Sequence, residues 1–130
     1  MLGSSEQAMD LRDMDTFFRH YLLCALWSST DNANESGGDP LDDNYGIADF
    51  TPDAKAKLRE DCVAFVDTNL TDLASIDAKQ AGHDFWLTRN GHGAGFWDRG
   101  LGALGERLTK ASKPYGSCDI VVGDDGMLHI

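Results

Sequence analysis

With 22 acidic against 11 basic side chains in 130 residues, and a formal net charge of −11, the chain has the size of one acidic domain. Its 42% hydrophobic and 25% charged content is that of an ordinary globular protein, which excludes disordered, collagen-like and disulfide-scaffold classes. The charge argues against direct binding to nucleic acid or to an anionic membrane. Met1-Leu2-Gly3-Ser4-Ser5-Glu6 lacks the basic start and apolar centre of a signal peptide. Residues 1–13 are expected to be a flexible tail, and residues 14–130 a single α+β domain.

Asp13 or Asp15 can cap a helix over about 14–27, in which Phe17, Phe18, Tyr21, Leu22, Ala25 and Leu26 form one broad stripe. Leu23 and Trp27 fall on its other side, and a helix apolar nearly all round belongs at the centre of its domain. Arg19 and His20 interrupt its apolar run, which is well short of the roughly 20 residues of a membrane span. From Ser28 to Asp53 the chain carries seven acids and no lysine or arginine, which predicts a long acidic loop. Asp39, Asp42 and Asp43 are its candidate binding residues.

Thr51-Pro52-Asp53 then combines a hydroxyl cap, proline at the first helical position and an acid at the positive helix end. It predicts a helix over 52–69 that buries Ala54, Leu58, Cys62, Phe65 and Val66, with Thr71 capping a short turn to Ile76. Beyond Gly82 the period changes. Asp84-Phe85-Trp86-Leu87-Thr88-Arg89 is rich in β-formers and Asn90-Gly91 is a hairpin signal, predicting strands over 84–89 and 94–98. Leu101, Leu104, Leu108 and Ala111 recur at helical spacing until Pro114 and Gly116. Two last strands, Cys118–Val122 and Met127–Ile130, flank Asp124-Asp125-Gly126. The expected fold is α+β, a small antiparallel sheet of two hairpins packed by helices in the order ααββαββ, with Leu22, Leu58, Phe65 and Leu104 buried.

Three cysteines, Cys24, Cys62 and Cys118, are odd in number, far apart and set in apolar segments, as expected of free thiols in a reducing cytoplasm. The polar chemistry concentrates between Gly82 and Gly100, where His83, Asp84, Arg89, Asn90, His92, Asp98 and Arg99 are the candidate binding residues. Their spacing matches no compact zinc pattern, so no metal is expected. No Ser or Cys stands in a recognised nucleophile turn, so no catalytic residue is assigned. Gly100-Leu101-Gly102-Ala103-Leu104-Gly105 spells G-x-G-x-x-G, but the preceding segment is not a buried aliphatic strand, and no cofactor is expected.

Glycine at 91, 93 and 95 would bare one side of a strand, for a tryptophan ring or for a ligand. Arg89 and Arg99 are expected to pair with Asp84 and Asp98 across the hairpin rather than join Trp86 and Trp97 in a nucleic-acid platform. With both tryptophans buried, the turn holding Asn90 and His92 would be the part that packing needs least.

The block G-H-D-F-W-L-T-R-N-G-H-G-A-G-F-W-D-R-G at residues 82–100 resembles one in a family of small proteins of unknown function encoded by tailed bacteriophages. The resemblance extends through Ala25-Leu26-Trp27-Ser28-Ser29-Thr30-Asp31, Asp43-Asn44-Tyr45, Leu108-Thr109, Gly116 and Asp124-Asp125-Gly126, and leaves out residues 1–13 and 32–40. It implies a phage origin and action in the host cytoplasm, and supplies no reaction.

Together these features predict a non-enzymatic interaction protein that binds a host or phage macromolecule, in first place a protein, through residues 83–99. The acidic loop would assist. Residues 1–53 carry eleven acids against two bases, and such a surface can imitate nucleic-acid phosphates in a host DNA-binding cleft, as a counter-defence inhibitor would. The alternative is a small enzyme or nucleotide-binding protein using the same hairpin. The two differ in whether His83, Asp84, His92 and Asp98 converge in one concave pocket.

Overall fold

The computed structural model describes residues 11–31 and 39–130; most of the expected tail, residues 1–10, lies outside them, as do residues 32–38 of the expected acidic loop. In chain order come α1 (Leu11–Ser28), β1 (Thr30–Asp31), β2 (Asp39–Pro40), 3-10 turns at Leu41–Asp43 and Ile47–Asp49, and α2 (Pro52–Thr68). There follow α3 (Leu70–Leu73), α4 (Ala78–Arg89), a 3-10 turn at Phe96–Asp98, α5 (Ala103–Ser112), a 3-10 turn at Lys113–Tyr115, β3 (Val121–Val122) and β4 (Leu128–His129). The class is α+β with helices dominant, and the strands form two separate antiparallel ribbons, β1 with β2 and β3 with β4. The order ααββαββ does not hold.

Helix α2 forms as its sequence dictates. The Thr51 hydroxyl accepts from the Ala54 N–H at 3.1 Å, and Ala54, Leu58, Cys62, Phe65 and Val66 are all buried. Helix α1 buries the expected stripe and leaves Leu23 and Trp27 out; Asp13 and Asp15 lie inside it, so neither is its cap.

The expected strand over 84–89 is helical, and 94–98 is turn and 3-10 helix. The reason is burial on every side. From Asp84 to Arg89 each residue is buried, so α4 carries no polar stripe from which a 3.6-residue period could be read. Asp77 starts this helix by accepting from the Lys79 N–H. Asn90-Gly91 ends it: Gly91, at φ +70°, donates to the Thr88 carbonyl, and the His92 N–H returns to the Leu87 carbonyl at 3.0 Å. That paired return is a Schellman cap, which needs the same left-handed glycine as a hairpin turn.

Helix α4 runs beside α1 in the same direction. A Cβ on Gly82 would collide with the Phe17 carbonyl oxygen, Tyr21 packs on Phe85 and Trp86 at ring distances of 5.3 Å, and the Trp86 indole N–H donates to the Ser28 hydroxyl. Phe85 stacks on Phe65 of α2 at 4.0 Å, with Tyr115 edge-on at 5.1 Å. This aromatic cluster is the core.

Other expectations are adjusted. Leu22, Leu58 and Phe65 are buried as expected, whereas Leu104 is only partly buried and Trp97 is 53% exposed. The stretch from 28 to 53 is not loop throughout: Leu41 is fully buried and its N–H bonds the Ser29 carbonyl. The terminal strands shrink to two residues each around the expected turn, and the Leu128 carbonyl accepts from the Thr51 N–H at the start of α2. Among the described residues no helix is long and apolar enough to cross a membrane.

Candidate functional site

Five of the seven candidates between 83 and 99 are committed to internal bonds. Arg89 is 5% exposed in its side chain and donates to the Tyr21 hydroxyl, Asp61 Oδ2 and the carbonyls of Tyr115 and Gly116, all at 2.8–2.9 Å. It therefore pairs with α2 and the chain after α5, and with neither Asp84 nor Asp98. Asp84, fully buried, accepts from Arg99 Nε and Nη2 and from the Gln80 amide. Asn90 donates to the Trp86 carbonyl and accepts from the Cys118 N–H at 2.7 Å, so it is not the dispensable turn residue expected.

Asp98 accepts from the Gly95 N–H. No bare strand face exists at the glycines, because Gly95 turns at φ +157° with the Thr88 hydroxyl where a Cβ would stand. In the G-x-G-x-x-G stretch, Gly102 at φ +61° starts α5 after a 3-10 turn rather than a strand.

His83 is half-buried and His92 exposed, and both line hollows beside α1 and α4. The first hollow, about 350 Å³, lies between His20, Asp77, Lys79, Gln80, His83 and Arg99. His83 touches Trp27, their rings 5.9 Å apart. Trp27 with Ser28, Leu87, His92, Gly93 and Ala94 forms a second, mainly apolar hollow of about 420 Å³. Ser28 and His92 are shared with a third of about 500 Å³, whose polar wall includes Ser29, Thr30, Asn90, Ser117 and Asp119. The second and third hollows thus adjoin, and the Trp27–His83 contact links the second to the first. Trp27 is 60% exposed.

Burial pushes the His83 imidazole below its ordinary proton affinity, with Asp84 opposing and Arg99 and His20 adding to the depression. His20 is lowered by burial, then by Lys79 and Arg19, against Asp77. All three cysteines are free thiols. Burial raises Cys24 to about 12, Cys62 well above the usual range, and Cys118, which lines the third hollow, in the same direction. A thiol so shifted is not an activated nucleophile.

Among the described residues no cluster of His, Cys, Asp and Glu could hold a metal. Asp42 and Asp43 stand exposed on the 3-10 turn after β2, and Asp39 pairs in register with Asp31. Sequence reasoning missed Trp27, Ser28, His20 and Lys79 as members of the site. The signal for Trp27 was its place on the far side of the α1 stripe. Comparisons with protein-family models, with curated proteins and with solved structures find no match.

Proposed function

We propose that this chain is a non-enzymatic interaction protein of a tailed phage, acting in the host cytoplasm and taking a protein of host or phage on the α1–α4 seam, with Trp27 as the anchor. One observation carries the reading: Trp27 is 60% exposed, lines one hollow and touches His83 at the edge of another, while the charged residues of the adjoining segment are fixed by internal bonds. Tryptophan is among the side chains most enriched at binding hot spots. His83 and His92 line separate hollows, Asp84 is closed off under Arg99, and Asp98 serves a turn, an arrangement that favours recognition over acid–base chemistry. The acidic N-terminal half would steer a basic partner toward this face rather than dock it.

The test pairs thermal melts with partner capture from infected cells. Trp27→Ala is expected to cost less than about 1 kcal/mol in stability and more than about 2 kcal/mol in binding. Asp42→Asn with Asp43→Asn should slow association and leave capture largely intact. If the charge variant abolishes capture and Trp27→Ala does not, the acidic surface is the binding site and the seam is not.

A further inference from the structure

We infer that the hollow lined by His20, Lys79, His83 and Arg99 is an anion site, suited to the phosphate of a phosphate monoester. In a chain of net charge −11, this depression gathers Lys79, His20 and His83 beside Arg99, with Asp77 in the same wall. Arg99 is fixed: Nε and Nη2 are held on the buried Asp84, and a third of its side chain remains exposed at the rim. Lys79, His20 and His83 line the same hollow, and none of the three forms an ion pair among the described residues.

The charged groups about it are Arg19 and His20 from α1, Asp77, Lys79, His83 and Asp84 from the start of α4 onward, and Asp98 and Arg99. Three permanent cations, Arg19, Lys79 and Arg99, stand against three acids, Asp77, Asp84 and Asp98, so the permanent charges balance. Protonating the imidazoles makes the hollow positive.

An oxyanion accepting from Lys79, Arg99 and an imidazole N–H would satisfy donors that now face water, through charge-assisted hydrogen bonds. It would also reverse the repulsion that Lys79, Arg19 and Arg99 exert on the two histidines, so anion and proton must bind with positive coupling. The neighbouring Trp27 offers an aromatic face to a base attached to the phosphate. Inorganic phosphate and a nucleoside monophosphate are therefore the two probes that separate a bare phosphate site from a nucleotide site.

The experiment is an imidazole NMR titration of the full chain, with sodium chloride at matched ionic strength as reference. Phosphate should shift the His20 and His83 resonances saturably and raise their titration midpoints, while His92 and His129 stay near the chloride curve. Lys79→Met should weaken phosphate binding about fivefold at an unchanged melting temperature, the size expected for one partly exposed charge contact. The monophosphate should bind more tightly than phosphate and lose that advantage in Trp27→Ala if a base stacks there. Equal affinities assign the site to the phosphate alone. The inference fails if His20 and His83 move no more than in chloride, if all four histidines move together, or if Lys79→Met binds phosphate as the parent does. Partner capture plays no part in this measurement, so its failure and that of the seam reading are separable.

Discussion

Replacing Arg89 by Met separates a residue that holds the fold from one that meets a partner. The guanidinium is nearly solvent-free and makes four bonds, to Tyr21 Oη, Asp61 Oδ2 and the carbonyls of Tyr115 and Gly116. Met matches the volume of the stem and supplies none of the donors. Asp61, 13% exposed, would keep only the Lys57 ammonium on Oδ1 at 3.0 Å. Breaking a buried pair by removing one partner costs about 3–5 kcal/mol, and the surviving Lys57 contact places this case toward the lower end. The deserted carbonyls and the Tyr21 hydroxyl each add up to about 1 kcal/mol where water cannot reach them. A loss of about 4 kcal/mol corresponds to a fall of roughly 12–20 °C in melting temperature for a chain of this length. Calorimetry or urea melts measure it, and Arg89→Met with Asp61→Asn should recover part of the loss. A variant that melts within about 1 kcal/mol of the parent would refute the reasoning and return Arg89 to the binding surface.

Gly82→Ala should destabilise by about 2 kcal/mol or more, despite roughly 1 kcal/mol of better helix propensity, because its Cβ meets the backbone of Phe17. A raised melting temperature would show that α1 and α4 are not in close contact there. Asn90→Ala should cost about 1–2 kcal/mol, since it strands the Cys118 N–H, whereas His92→Ala should cost under about 0.5 kcal/mol. Equal effects would contradict the cap. His20 and His83 both bind protons less readily folded than unfolded, so the unfolded chain takes up more protons on acidification. Their contribution is fully present above the unfolded value near 6.5 and is lost as the pH falls through the lowered folded values. Melts between pH 7.5 and 5.5 should show the decline, and His20→Gln with His83→Gln should flatten it.

What could be read from the sequence was local. Thr51-Pro52 announces α2 because a cap involves only neighbours in the chain, and Leu58 and Phe65 follow from its amphipathic period. Helix α4 was illegible for the opposite reason. Phe85, Trp86 and Thr88 are β-formers whose preference is overridden by packing among α1, α2 and Tyr115. Asn90-Gly91 signals a left-handed residue, and that requirement does not distinguish a hairpin from a helix C-terminus. Asp77 before Ala78-Lys79-Gln80-Ala81 was the available start signal. The density of polar residues at 82–100 was visible, but their partners lie far away in sequence. Arg89 reaches Asp61 and Tyr21 from 28 and 68 positions off, and no spacing rule reports that.

The central claim is that partners meet the chain on the α1–α4 seam. A photo-reactive phenylalanine analogue placed at position 27, and in a second variant at position 63, tests it in infected cells. Val63 is also exposed but lines a separate hollow on α2. The seam account predicts one discrete adduct from position 27 and none from position 63, with the adduct competed away by excess parent protein and not by Trp27→Ala. An adduct from position 63 with none from 27, or equal competition by Trp27→Ala, would contradict it.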